Sequence, residues 1–493
     1  MSIGHGYPWE KRYDMKKKIV IGTLILLAVS GICVAGMFIN NRKTEGMTEA
    51  QDEVMASHES VPDEMPDDTV AAEEGSGESV ADEITESSAE TETKPVQIAG
   101  ENRYGQSAYL LDAAYEQMKG KNTLVSPLSL NMALGLVSEG AVGETRQEIL
   151  DYLNTNDYSR FANSYMQGIA RYNVGEEQEE NNDSDEGLST FGDMISPIGL
   201  GGYRQVYDIA NSIWVDQKET LKESFATKIQ ENYNAQTEVV DFKNNRGEAA
   251  EKINSWVDEK TRHMIPLIVE EDDLDEKTPA VIVNSLYFES PWVEKWAYKK
   301  KHVFTDFAGN KTEKDLLGER LGTYFENEYA TGFSKSYMNG MEFIGILPKQ
   351  TGEFSLSELD LESLLDSRTF AYDVDVIMPE LDYGTNVTNL SDILKQQGIH
   401  KAFDEEQADF SDMVELKNDE RVFISKIIQS CKIELDQYGT KAAAATAVVF
   451  EKTTCVMDER EVKQVYMERP FAYIIYDRDA DQILFAGKVV SVE

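Results

Sequence analysis

The sequence predicts an α+β fold, and three observations predict it. Residues 281–288, Val-Ile-Val-Asn-Ser-Leu-Tyr-Phe, are almost continuously apolar, as a strand buried on both faces of a sheet must be. Residues 107–119 carry Tyr109, Leu110, Ala113, Ala114 and Met118 at helical spacing along one face. The chain closes on two strands, 471–476 and 483–492, joined by a polar turn at 477–481. Strands and helices recur without the alternation of βαβ units, which separates α+β from α/β.

The elements follow in order. Ser126 can cap, and Pro127 fits the first turn of, a second helix carrying Met132, Ala133, Leu136 and Val137. It runs out in Gly140-Ala141-Val142-Gly143-Glu144-Thr145, where Thr145 is expected to cap a third helix over 146–153. An acidic, Asn-rich run at 176–187 and a glycine-rich one at 199–202 read as a surface insertion within 174–203. Its segment 182–187 lacks the opening Asp and closing Glu of a calcium loop, so no metal is expected. Strands at 210–215 and 237–242 flank a helix at 221–233. A helix over 249–261 turns Ile253, Trp256 and Val257 inward. Further strands are expected at 341–348, 372–379, 422–428 and 432–435, with a helix over 387–397.

The folded part spans 101–493. Upstream, residues 19–39 contain no charge over 21 positions, enough to span a bilayer. Lys11, Arg12, Lys16, Lys17 and Lys18 lie in the preceding segment 1–18, and only Arg42 and Lys43 follow closely. That bias predicts a cytoplasmic N-terminus, a transmembrane anchor, and an extracellular remainder at the cell membrane. Ser30, Gly31, Ala35 and Gly36 leave a cleaved signal, hence a secreted form, as the alternative. Residues 40–100 read as an acidic disordered tether: 44–100 hold seventeen Asp or Glu against one Lys. A flexible coil of that length spans roughly 40 Å. The formal net charge of -43 argues against nucleic acid as a partner. The cysteines, Cys33, Cys431 and Cys455, make no disulfide framework, so stability must come from the core.

Catalytic patterns are missing from the sequence. The histidines are His5, His58, His263, His302 and His400, and none sits in a metalloprotease helix motif. No nucleophile elbow and no phosphate-cradling glycine loop occurs. The acidic run 270–273 reads as a solvated turn, and Cys455 has no histidine near it in sequence. Neither an enzyme nor a cofactor is expected.

One stretch contradicts itself. In Gly439-Thr440-Lys441-Ala442-Ala443-Ala444-Ala445-Thr446-Ala447-Val448-Val449, the alanines favour helix and Thr446, Val448 and Val449 favour strand. Gly439 frees the backbone to swing. An alanine-rich helix after a turn is one reading. The other is a segment that enters a packed sheet later, because small or β-branched side chains fit between two strands.

Here the residues resemble a family, the serpins. Ser126-Pro127-x-Ser129 followed by Gly140-Ala141-x-Gly143-x-Thr145 is similar to its second helix and exit. Asn284-x-x-Tyr287-Phe288-x-x-x-Trp292-x-x-x-Trp296 resembles its central strand motif, with Trp292 at the breach where the sheet opens. Leu394 to Phe403, Ala408-Asp409-Phe410-Ser411, Arg469-Pro470-Phe471 and Phe485-x-Gly487-Lys488-Val489 resemble later family motifs, in the family's order. The self-contradicting stretch is similar to the serpin hinge, Gly-Thr-Glu-Ala-Ala-Ala-Ala-Thr, with Lys441 in place of Glu and with Gln437 and Tyr438 for two usual acids.

The resemblance implies a serpin fold: three β-sheets, about nine helices and an exposed reactive-centre loop. It implies a monomeric, irreversible suicide-substrate inhibitor of serine or cysteine proteases, here surface-anchored and bacterial. A protease cuts the loop, the acyl-enzyme forms, and the freed loop enters the central sheet before hydrolysis. About fifteen new backbone hydrogen bonds at ~1 kcal/mol each make the release of order 10 kcal/mol. The alternative is a non-inhibitory serpin acting as a binding or carrier module. Counting forward from Gly439 as the family does puts the bait bond at Thr453-Thr454; counting back from Pro470 leaves Lys452, Met457 and Arg460 as alternatives. Thr or Val suits an elastase-like or subtilisin-like extracellular protease, and Lys452 or Arg460 a trypsin-like one. Ser126, Ser129, Asn284 and Gln429 match the family's shutter beneath the sheet, Gln429 standing where the family has His. Thr440 is expected to enter the sheet first, and Lys441, pointing outward, to be replaceable by Glu without effect.

Overall fold

The structure, a computed structural model, describes residues 103–118, 120–169, 173, 205–274, 278–415, 421–440 and 460–492. The chain divides into two units, 1–92 and 93–493, and every described residue lies in the second. The expected anchor at 19–39, the tether at 40–100 and the 174–203 insertion lie outside the described residues. No helix among the described residues is long and apolar enough to cross a membrane.

Three sheets and eight α-helices make up the described part. The strand most apolar in sequence, β4 (Ala280–Pro291), is buried from end to end. It lies inside a six-stranded sheet with β2 (Val206–Asp216), β3 (Gln236–Val240), β11 (Leu381–Val387), β12 (Lys426–Leu435) and β13 (Gly439–Thr440). Their order is β11-β12-β13-β4-β2-β3. A second six-stranded sheet runs β1 (Thr123–Val125), β16 (Gln482–Val489), β15 (Phe471–Asp477), β9 (Glu342–Pro348), β8 (Ala330–Ser336), β7 (Tyr324–Glu326). The third, four-stranded, runs β14 (Val462–Tyr466), β10 (Asp373–Met378), β6 (Lys311–Leu321), β5 (Tyr298–Thr305).

The helices are α1 (Gly105–Gln117), α2 (Pro127–Ser138), α3 (Gly143–Tyr152), α4 (Ser159–Ile169), α5 (Glu223–Tyr233), α6 (Arg246–Lys260), α7 (Leu361–Asp366) and α8 (Leu390–Gln396). Alternation along β4 and β12 divides the core in two. Ile282, Leu286, Phe288, Ile427, Cys431, Ile433 and Leu435 join the main core with α1 and α2. Val281, Val283 and Ile428 point the other way, onto Ala249, Ile253, Trp256 and Val257 of α6.

Several expectations are corrected. Ser126 does cap α2, its side chain accepting from the Ser129 N–H at 3.3 Å. Thr145 does not cap α3, whose N-cap is Val142; its hydroxyl instead accepts from the Asp409 N–H at 3.0 Å, stitching two distant segments. The helix expected from residue 387 begins at Leu390, because the preceding residues pair with β12 as β11. The strand expected at 422–428 begins at Lys426 and runs unbroken through Leu435. The strands β5 and β6 went unread: they are rich in charged residues, such as Lys301, which faces Asp315 and pairs with Glu313, and this carries little apolar signal.

Candidate functional site

The central sheet changes character along one seam. β12 pairs β4 in parallel from Lys426↔Val281 to Ser430↔Ser285, and there the register stops. At the far end β13 lies between them, antiparallel to both, with Leu435↔Thr440 on one side and Gly439↔Pro291 and Thr440↔Ser290 on the other. An intervening strand holds its neighbours two strand spacings apart, roughly 9–10 Å. β4 and β12 therefore part across residues 286–289 and 431–434, while their outer edges stay paired to β2 and β11.

Below the parting, four side chains lock the seam. The Gln429 amide faces Ser126 edge to edge: Oε1 accepts from the Ser126 N–H and Nε2 donates to the Ser126 carbonyl, both at 2.9 Å. Nε2 also donates to Asn284 Oδ1 at 2.9 Å. Asn284 Nδ2 donates to the Ser129 carbonyl at 2.7 Å, to Ser129 Oγ at 2.5 Å and to Asn211 Oδ1 at 2.6 Å. Every member is buried, Gln429 to 1 % exposure. Buried polar groups must be satisfied in this way or destabilise the core. The network thus ties β12 and β4 to the start of α2, and none of its four side chains can become charged near neutral pH.

Above the parting, the hinge is seated. A turn at 436–439 leads into β13: the Asp436 N–H donates to the Gly439 carbonyl at 2.9 Å, and Asp436 Oδ1 accepts from the N–H groups of Tyr438 and Gly439 at 2.7 and 3.1 Å. The N–H groups of Trp292 and Trp296 donate to the Tyr438 and Gln437 carbonyls at 2.9 and 3.0 Å. Trp292 Nε1 donates to the Asp436 carbonyl at 3.1 Å. Gln437 is half-buried and returns a hydrogen bond from Nε2 to the Trp296 carbonyl at 2.8 Å.

Thr440 is buried, 3 % exposed, and its hydroxyl meets the Tyr337 hydroxyl at 2.7 Å. The Tyr337 ring stacks on Trp292 at 4.1 Å between centroids. Burial pushes the Tyr337 hydroxyl's pKa well up, so it stays neutral and can both donate and accept. A buried ion pair, Lys335 Nζ to Glu319 at 2.5 Å, sets its ammonium 5.1 Å from the Trp296 ring centroid and 5.7 Å from that of Trp292.

The structure thus brings Ser126, Ser129, Asn284 and Gln429 together, and separately Trp292, Gly439 and Thr440. Residues 441–459, with Lys441 to Thr446 of the hinge and Lys452, Thr453, Thr454 and Met457 of the bait, lie outside the described residues. Arg460 is described: its guanidinium donates to the Phe370 carbonyl at 3.2 Å, just before β14. Sequence reasoning missed Tyr337, Lys335, Glu319 and Asn211. Asn211 is on β2 of the central sheet, Lys335 on β8 and Glu319 on β6 of the other two sheets, and Tyr337 lies just past β8, so only the folded arrangement brings them to the seam.

Comparison with known proteins follows this geometry. Residues 106–492 match the family model described as Serpin (serine protease inhibitor). Serpin-ZXA of Oryza sativa subsp. japonica is 28% identical over 76% of this chain and 90% of its own length. The crystal structure of a thermophilic serpin, tengpin, in the native state superposes with a TM-score of 0.62 at 24% identity, covering 81% of this chain and 97% of that one. Thyroxine-binding globulin in complex with thyroxine superposes with a TM-score of 0.61 at 20% identity, covering 78% and 97%. Nothing in these likenesses speaks for the bacterial source or the membrane anchoring expected from sequence.

Proposed function

The chain belongs to the serpin family, and from that premise we propose that it is a suicide-substrate inhibitor of extracellular proteases. One observation carries the reading. β13 enters the central sheet antiparallel to both neighbours at the point where β4 and β12 part, with Thr440 already buried. A sheet arranged in this way accepts a strand from the hinge, and the residues that would follow Thr440 on its inner face are small, Ala442 and Ala444. Cleavage beyond the hinge frees that strand to continue inward and carry an acyl-linked protease with it. Side chains of this size delay insertion least, so hydrolysis of the acyl-enzyme loses the race.

The bait bond belongs between residues 452 and 457 on this reading. Arg460, tied through its guanidinium to Phe370, stands where the chain already rejoins the body, and the Asp373 N–H donates to the Glu461 carbonyl at 3.1 Å beside it. A protease needs several residues of extended backbone on both sides of the cut. Incubation with an elastase-like or subtilisin-like protease should leave an SDS-stable covalent complex, and mass mapping should find the cut at Thr453-Thr454 or beside it. Clean cleavage with full protease activity would instead favour a binding or carrier role.

The folded unit is proposed to stand outside the cell on its acidic tether, held by residues 19–39. The protein should fractionate with membranes, and external protease should release the folded unit from intact cells. Recovery of a soluble form beginning near residue 37 would show a cleaved signal instead.

A further inference from the structure

β13 is two residues long, and few groups hold it. Gly439 carries no side chain, and its ladder partner Pro291 has no N–H to give. The hydrogen bonds from Trp292 and Trp296 grip the turn at 436–438, not the strand that follows. That leaves the side chain of Thr440. Among the described residues, its hydroxyl has one partner, the Tyr337 hydroxyl at 2.7 Å.

Packing fixes where that partner stands. Tyr337 follows directly on β8 and bridges to Trp292 at the end of β4. Its N–H donates to the Met341 carbonyl at 2.9 Å. Its ring lies almost flat on Trp292, with 16° between the planes, and meets Phe288 edge-on at 5.0 Å between centroids. Trp292 is the residue that grips the hinge turn, and Phe288 lies on the stretch of β4 that has parted from β12. The two aromatics that hold the ring therefore flank the place where the hinge enters. A side chain locked in this way presents its hydroxyl with no ordering cost left to meet. With that hydroxyl in place, Thr440 can be buried and bonded at once; without it, burial leaves a polar group unsatisfied.

We propose that Tyr337 is a positioning residue for strand insertion: its hydroxyl holds Thr440 at the mouth of the parted sheet and so fixes the residue from which insertion starts. The proposal rests on the loop insertion read above. Tyr337 touches the hinge and the parted stretch of β4 from the end of a strand in another sheet, so it ties the mouth of the central sheet to a part of the fold that need not move.

The test uses the full chain, a subtilisin-like protease and three variants. Tyr337→Phe keeps the ring and its stacking, Thr440→Val keeps the shape, and the third carries both changes. For each, the partition between covalent complex and cut, released inhibitor is measured. Tyr337→Phe should shift it about tenfold toward release, because the Thr440 hydroxyl loses its partner, and Thr440→Val should do the same by stranding the Tyr337 hydroxyl. The double variant has no hydroxyl left to satisfy and should return to within about threefold of the parent. Loss of packing alone would not be rescued in this way. In the uncut proteins, amide exchange at residues 439–440 should quicken about tenfold in each single variant and slow again in the double, with exchange along β4 and β12 unchanged. A parent-like partition or unchanged exchange in Tyr337→Phe, or a double variant as poor as the two single effects combined, would overturn the role of Tyr337 and leave insertion standing. A parent that forms no complex would remove the insertion reading and this role together.

Discussion

If the protein inhibits as proposed, replacing Thr440 by arginine should convert it from an inhibitor into a substrate. Thr440 is 3 % exposed, between β12 and β4, with its hydroxyl on Tyr337. An arginine there would bury a cation where a small hydroxyl sits, at several kcal/mol. The cheaper state keeps the hinge outside the sheet, so β13 should be lost and the rest of the fold retained. The bait lies far along the loop, so the target protease should still cut it at the same bond. Insertion should then fall behind hydrolysis, and covalent complex should drop at least about tenfold while active protease is released. Thr440→Ser, which keeps the hydroxyl, should behave as the parent. Complex formed by Thr440→Arg at the parent's rate and yield would show that insertion from this hinge is not the mechanism.

Gln429→Leu should carry the largest loss of stability among single changes near the seam. It strips partners from the Ser126 N–H, the Ser126 carbonyl and Asn284 Oδ1, all buried. An unsatisfied buried group costs about 1–3 kcal/mol, so a total near 3 kcal/mol, or about 5 °C in Tm, is expected for the uncut protein. Gln429→His tests the charge state of the same site. A neutral imidazole can accept the Ser126 N–H, but burial disfavours the imidazolium, holding the folded-state pKa below the unfolded value of ~6.5. Stability would then be complete above that value and lost as pH falls beneath it, since the unfolded chain binds the extra proton. The parent should show no such slope from this site between pH 5 and 8. If the stability difference between His variant and parent is the same at both ends of that range, the network has no titrating role to gain.

The legible parts of this chain were those whose constraint is local. The strand 280–291 announced itself because most of 281–288 is apolar, as burial on both faces requires, with Asn284 joining a buried network. Of the expected hinge, Gly439 and Thr440 are described and form β13, and the small residues after them lie outside the described residues. Tyr337 left no trace, because its role exists only through a partner 103 residues away. The sequence does not tell Gln437 and Tyr438 apart. Both lie in the hinge turn, yet only Tyr438 is exposed, and backbone hydrogen bonds to Trp292 and Trp296 hold that turn in place. Where β5 and β6 pair through Lys301 and Glu313 at 2.8 Å, charge takes the place of the apolar alternation by which strands are read.

The register of β13 also bears on how fast the sheet can open. Bringing a free loop end to a sheet costs closure entropy before any contact repays it. With Gly439 and Thr440 already laddered on both sides, that step lies behind the native state, and what remains resembles strand displacement. On the proposed insertion, a strand advancing through 431–434 and 286–289 would have only to fill. Beyond them it must unzip the five parallel pairs from Ser430↔Ser285 down to Lys426↔Val281, each advance exchanging one pairing for two. The Gln429 amide stands at the second of those pairs, opposite Asn284. The slow step of the motion would therefore fall near the middle of the strand rather than at its start, and substitutions at Gln429 should alter the pace of insertion more than its onset.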